Sequence, residues 1–143
     1  MAISQAVANS FKSEILQGIH DLESGGDSFK LALYTAGATL TSSSTVYVTS
    51  GEVAASGQYS AGGGVLQSQQ VSLATGGVAI VDFADLSFTG VTLTARGALI
   101  YNATEGNKAV AVLDFGSDKT ATSGTFTIQF PAFTSSAAIL RIA

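Results

Sequence analysis

Apolar residues recur at two different spacings, which divide the chain into a helical start and a long β-rich remainder. Within residues 1–24 the spacings are four, four, four, four and three, which is one stripe of an α-helix; the stripe is formed by Ile3, Val7, Phe11, Ile15, Ile19 and Leu22. Gly25 and Gly26 follow, and glycine commonly ends helices. We therefore predict one N-terminal helix over residues 1–24. Its stripe packs either on the chain's own sheet or on a neighbouring subunit, with Phe11 and Ile15 as candidate contact residues in the second case.

The spacing changes to two after Gly26. In "FKLALYT" the side chains of Phe29, Leu31 and Leu33 share one face, which predicts a half-buried strand. Further β-branched and aromatic runs follow from Val65 onward, separated by Gly, Asn, Asp and Ser turn signals. The segment "ALIYNATEGNKAVAVLDF" predicts a hairpin. Residues 27–143 therefore predict an antiparallel β-sandwich, jelly-roll-like, of about seven to nine strands. With the helix, it forms a single domain over residues 1–143.

A Ser/Thr/Gly-rich segment interrupts the strand pattern at about residues 37–64. Long segments without regular structure in small domains are often functional, so this loop is the first place to look for a contact with a partner. Tyr47 and Tyr59 lie in it, and with Tyr101 they are the aromatic residues that we expect to be exposed. Tyr47 and Tyr59 join Phe11 and Ile15 as the candidate interaction surface. Five phenylalanines are expected in the core: Phe83, Phe88, Phe115, Phe126 and Phe130.

Composition changes the picture mainly through charge. Only 11% of the 143 residues are charged and 46% are hydrophobic, against about 25% charged in typical domains. Such a surface favours a protein that is covered by neighbours in an assembly. The net charge is −4 and the six Lys and Arg residues are scattered, which argues against nucleic acid as a partner. We predict no membrane segment, no signal peptide and synthesis in a host cytoplasm, because no basic start precedes an apolar run and no apolar stretch approaches about 20 residues.

The residues that could carry chemistry are few. His20 is the single histidine, and its predicted position near a helix C-terminus explains it without catalysis. Cysteine is absent, so the usual zinc ligand sets are excluded. Two carboxylate pairs, Asp82 with Asp85 and Asp114 with Asp118, are read first as turn residues, with divalent-cation binding and acid–base catalysis as alternatives. We predict no catalytic, cofactor-binding or metal-binding residues and no cofactor.

Three segments carry a resemblance to a known family. They are "FKLALYTAGATL", "GQYSAGGG" and "RGALIYNATEGNKAVAVLDFGSDKTATSGTFTIQFP", and together they resemble a family of short tailed-bacteriophage virion proteins. Members are labelled capsid decoration (cement) or fibre-associated proteins. The resemblance implies a non-enzymatic decoration protein on the head exterior that bridges capsomers and contacts the major capsid protein and copies of itself, as a trimer. The alternative is a tail, fibre or baseplate component with a receptor- or glycan-binding role.

Overall fold

The computed structural model describes residues 2–134 and 136–143 and shows a mainly β fold with one short N-terminal helix, as predicted. Its strands form an antiparallel five-stranded sheet, in the order β1-β7-β6-β2-β3, and an antiparallel three-stranded sheet, in the order β4-β5-β8. The elements are β1 Ala6–Val7, α1 Asn9–Leu16, β2 Phe29–Tyr34, β3 Gly64–Val65, β4 Gln70–Ala74, β5 Val78–Asp82, β6 Leu86–Asn102, β7 Lys108–Ile128 and β8 Leu140–Ile142.

The predicted hairpin is present and is longer than the sequence indicated. Strands β6 and β7 pair from Asn102 with Lys108 to Leu86 with Ile128. Gly90 and the residues from Asp114 to Asp118, which carry turn signals, lie in continuous strand in which the register shifts. The reason is that β-bulges absorb these residues, so that turn-forming residues bend the ribbon without ending it.

Strand β2 is buried on both faces, so the prediction of a half-buried strand was wrong. It lies between β6 and β3, and only Lys30 is partly exposed. The segment 37–64 packs beside it: the Val53 amide donates to the Leu33 carbonyl, and the Tyr34 hydroxyl donates to the Val48 carbonyl. A segment of irregular backbone therefore covers what the alternation suggested was a solvent face.

The predicted helix over residues 1–24 is much shorter than expected. It spans Asn9–Leu16 and ends where Gly18 adopts a φ of +74°, a conformation that favours glycine. The preceding residues Ala6 and Val7 pair with β7 as strand β1. Pairing with the sheet therefore overrides the helical spacing at the N-terminal end of the apolar stripe, and Gly18 ends the helix before Ile19 and Leu22.

One hydrophobic core joins the two sheets. It contains β2, the paired halves of β6 and β7, Phe11 of α1, and Val81 and Leu140 of the three-stranded sheet. The expectation for the phenylalanines is confirmed at Phe83, Phe88 and Phe126, which are buried; Phe115 and Phe130 are half-buried.

Candidate functional site

A cluster of polar side chains around Glu52 ties the segment 37–64 to the sheet. The Glu52 carboxylate accepts the Tyr47 hydroxyl at 2.5 Å and, through its second oxygen, the Tyr59 hydroxyl and the Gly62 amide, both at 2.7 Å. Tyr101 of β6 donates to the Gly62 carbonyl at 2.6 Å. One carboxylate thus accepts hydrogen bonds from three points of the loop. These bonds hold the loop firmly, because charge-assisted hydrogen bonds are stronger than neutral ones.

The four tyrosines of the chain all belong to this region, and their surroundings disfavour ionisation. Burial and the nearby Glu52 carboxylate raise the pKa of Tyr101 to about 12. Burial is also the main cause that raises the pKa of Tyr34, Tyr47 and Tyr59, to which the Glu52 charge adds. The rings stay neutral hydrogen-bond donors, as an anchor requires.

Tyr59 and Tyr101 were therefore predicted wrongly as exposed residues. The Tyr59 side chain is fully buried, and its hydroxyl also accepts the Leu33 amide. Tyr101 is buried as well, and Tyr47 is half-buried with its ring stacked on that of Tyr101 at 4.8 Å between centroids. The tyrosines hold the loop from the inside: Tyr59 has no exposed side-chain surface, whereas Tyr47 stays partly exposed.

A second polar cluster surrounds His20. We expected His20 near the C-terminal end of the helix. It lies beyond the end of α1 instead, and its side chain is excluded from solvent. Its Nε2 is 2.9 Å from the Glu14 carboxylate, and its Nδ1 is 3.0 Å from the Asn102 side-chain nitrogen. The Asn102 side-chain nitrogen also donates to the Asp27 carboxylate at 2.8 Å. The cluster joins α1, the loop after it and the end of β6.

The orientation of the Asn102 amide determines the tautomer of His20. The Asn102 side-chain oxygen accepts the backbone amides of Thr104 and Glu105, so its nitrogen faces the imidazole as a donor. His20 Nδ1 is consequently the acceptor, and the proton lies on Nε2, directed at Glu14. Each group in the cluster has a hydrogen-bond partner within the fold.

Asp114, Asp85 and Asp118 lie in three different settings. Asp114 lies 3.6 Å from the Arg96 guanidinium and accepts the Gly116 amide, while Asp85 accepts the Phe130 amide. Asp118 is exposed on β7, in continuous strand where a turn was expected. Asp114 and Asp85 hold backbone, which agrees with their first interpretation as structural residues.

Phe11 and Ile15 border an open groove of about 640 Å³ between α1 and the three-stranded sheet. Phe11 belongs to the floor because it is buried in the core, and Ile15 is partly buried. The opposite wall is the inner face of the small sheet, formed by Val71, Ala79, Val81, Leu140 and Ile142. Two of the four predicted interaction residues therefore lie at a predominantly apolar groove.

Large apolar side chains stay exposed at this groove and on the sheet face that forms its wall, where Leu73 lies opposite Ala79. Leu16 at the end of α1 is 90% exposed, Leu73 of β4 is 73% exposed and Ile142 of β8 is 60% exposed; Val71 of β4 is 40% exposed. We call these four residues the apolar rim. Solvated leucine and isoleucine grouped at one recess are characteristic of a contact surface.

Sequence reasoning missed the residues that organise these regions. Glu52 lies in a Ser/Thr-rich loop without any pattern that marks it, and Asn102 lies inside the segment that predicts the hairpin. Only Asn102 had a usable signal, since a polar residue that ends an apolar strand before a turn often caps backbone amides.

Within the described residues, no group of three or more His, Cys, Asp or Glu side chains is placed to hold a metal ion. No helix in that part of the chain has the length and apolar character needed to cross a bilayer. Comparison with known protein families, with curated proteins and with solved structures found no match.

Proposed function

We propose that this chain is a non-enzymatic structural protein of a tailed-phage virion, a decoration protein that binds the head exterior and stabilises it by bridging capsomers. The observation that carries the proposal is the apolar rim: Leu16, Val71, Leu73 and Ile142 remain solvated in a chain with only 11% charged residues. The family resemblance of the hairpin and loop segments supports the virion setting.

The physical basis is burial of the rim against a partner. Covering a leucine or isoleucine side chain contributes about 1.5–3 kcal/mol, so three or four such residues can hold a subunit on a particle that offers many equivalent sites. Binding that favours the assembled shell stabilises it by mass action. The proposed partners are the major capsid protein and copies of the chain itself, and the resemblance implies a trimer. No nucleic acid and no membrane enter the proposal.

Particles with and without the protein test it directly. Heads that lack the protein should release their genome at a lower temperature, and adding the purified protein should restore the higher one. Leu16→Lys with Ile142→Lys should fail to restore it, while Thr122→Lys, an exposed position on β7, should succeed. Equal thermal release with and without the protein would contradict the proposal.

A tail, fibre or baseplate component is the second candidate, and a different surface favours it. The solvated face of the β6–β7 ribbon carries hydroxyl pairs, Ser87 with Thr127 and Thr94 with Thr120, each at 2.9 Å. Such a face offers hydrogen-bond donors and acceptors to a receptor or glycan. Gold labelling of virions separates the two candidates, because label on the tail excludes head decoration.

A further inference from the structure

The strand edges of the two sheets differ sharply in how far they are protected from pairing with another chain. Strands β1 and β3 have two residues each, and β8 has three, of which the central one is Arg141. The long β7 carries Asp118 and Lys119 and several register shifts against β6. Short length, charge and bulges are the devices by which proteins prevent edge pairing.

Strand β4 has none of these devices. Its five residues, Gln70–Ala74, include no charged residue, proline or glycine, and its register with β5 runs without a shift from Gln70 opposite Asp82 to Ala74 opposite Val78. Within residues 2–134 and 136–143, its outer side has no strand partner. A regular, neutral and open edge of this kind is a template for another strand.

We propose that β4 pairs antiparallel with β4 of a second copy of this chain, about a twofold axis at Ser72. In that register Val71 of each copy lies opposite Leu73 of the other, and Gln70 lies opposite Ala74. Opposite residues in an antiparallel pair share a face, so the apolar side chains meet on one face. A shift by one residue would place Val71 opposite Ser72 and mix the two faces.

The β4 edge is uncharged, so charge does not oppose pairing with a second copy at this strand. The chain carries a net charge of −4, so copies repel one another at most orientations. Strand β4 is neutral, and self-pairing there opposes no like charges. The strand is also self-complementary, as a twofold interface requires. The pair joins two three-stranded sheets into one of six strands, with Val71 and Leu73 at its centre on the side of the groove.

This pairing does not depend on the virion assignment, because it follows from the edge alone. It gives an even number of chains, so it yields a dimer, or joins larger assemblies in pairs. A trimer with no further association in solution would therefore overturn it, whatever the protein does on a phage head.

Sedimentation velocity of the full chain over a range of concentrations is the first test. The wild-type protein should show a dimer whose fraction rises with concentration. Val71→Lys with Leu73→Lys places like charges opposite each other in both pairs and should weaken dimerisation at least tenfold (roughly, from the cost of opposed like charges). Thr122→Lys introduces the same charge at an exposed position on β7, outside both β4 and the apolar rim, and should leave the dimer unchanged. A wild-type monomer at all concentrations, or a dimer indifferent to the double change, overturns the proposal.

Two further variants test the register and guard against a double variant that does not fold. Mixing the Val71→Lys/Leu73→Lys chain with a Val71→Glu/Leu73→Glu chain should restore pairing as a heterodimer, since each Lys then faces a Glu. The chain has no cysteine, so Ser72→Cys should form a disulfide-linked dimer under mild oxidation, because directly opposed Cα atoms are about 4.5–5.5 Å apart. Thr122→Cys, exposed on β7, is the matched control. Equal cross-linking of the two cysteine variants contradicts the register.

Discussion

Single polar residues determine how the irregular parts of this protein are held. Glu52 fixes the segment 37–64, and Asn102 fixes the N-terminal segment through His20 and Asp27. Although the chain has few charged residues, several of its carboxylates accept hydrogen bonds from groups within the fold. Removing such a group leaves its former partners without acceptors in places that water reaches poorly, which costs more than an average hydrogen bond.

Replacing Glu52 by alanine should therefore destabilise the protein strongly. The Tyr47 and Tyr59 hydroxyls and the Gly62 amide lose their acceptor, so we expect the free energy of unfolding in urea to fall by about 2–4 kcal/mol. Asp118→Asn, an exposed carboxylate change, should stay within about 0.5 kcal/mol of the wild type. Similar losses in the two variants would show that the Glu52 cluster is not an anchor.

Replacing Asn102 by aspartate should be equally severe. The new carboxylate would face the Asp27 carboxylate and the His20 acceptor nitrogen where the amide now donates, so the loss should be about 3–5 kcal/mol. Asn107→Asp, in the adjacent exposed turn, is the matched control. Because His20 is the single histidine, its ring resonances report the change directly in an NMR spectrum. Unaltered ring resonances in the Asn102 variant would contradict the hydrogen-bond scheme.

At the scale of elements, alternation predicted where the strands lie but not where they end. The hairpin, the β-rich character and the irregular loop were anticipated because period-two runs and turn residues are local signals. The helix was overextended because a stripe such as Ile3 to Leu22 has the same spacing whether or not a sheet edge captures its first residues. Both faces of β2 are buried because the segment 37–64 packs beside it. The residue pattern within β2 alone carries no signal of that packing.

Two glycines next to element boundaries are required for different reasons, one for backbone conformation alone and one for close packing as well. At both Gly18 and Gly63 the backbone has a positive φ, +74° and +80°, but only Gly63 is crowded: an added Cβ would lie 1.8 Å from the Leu31 carbonyl oxygen. We expect Gly18→Ala to cost about 1–2 kcal/mol from backbone strain alone. Gly63→Ala should cost clearly more, because β2 and the loop must also separate. Equal unfolding free energies for the two variants would contradict close packing at β2.

The whole molecule should be sensitive to alkaline conditions, because its four tyrosines titrate at higher pH when folded than when unfolded. Burial raises the pKa of Tyr101 from 10.0 to about 12 and raises that of the others in the same direction. The stabilisation is complete below pH 10 and is lost as the pH rises from there through the folded-state pKa, at up to about 1.4 kcal/mol per pH unit for each tyrosine.

Urea midpoints measured from about pH 8 to about pH 11, with tyrosinate absorbance as a second probe, check this expectation. The midpoint should be level at first and then fall steeply. Tyr101→Phe removes one titrating group and should make the fall shallower by about a quarter. A midpoint that stays level to the highest pH would mean that the tyrosines ionise freely in the folded protein.

The candidate contact surface was predictable only in part. Phe11 and Ile15 were located at the groove because an amphipathic stripe must face something apolar. Leu73 and Ile142 could not be recognised as exposed, because the alternation of apolar and polar residues places them on the inner face of their strands. In the structure only one end of that face is covered. Which end of a small sheet stays uncovered is a property of the assembled domain.

The pairing of β1 with the middle of β7 also constrains when the protein can fold during its synthesis. Val7 is bonded into the sheet opposite Ala111, and the Gln5 side chain accepts the amide of Asp114. Residues 5–7 thus find their neighbours only after β7, far later in the chain, has been translated. Until then the side chains of Phe11 and Ile15 stay exposed to solvent. Nascent chains should therefore bind chaperones that recognise hydrophobic segments, and synthesis of β7 should release the chains from these chaperones.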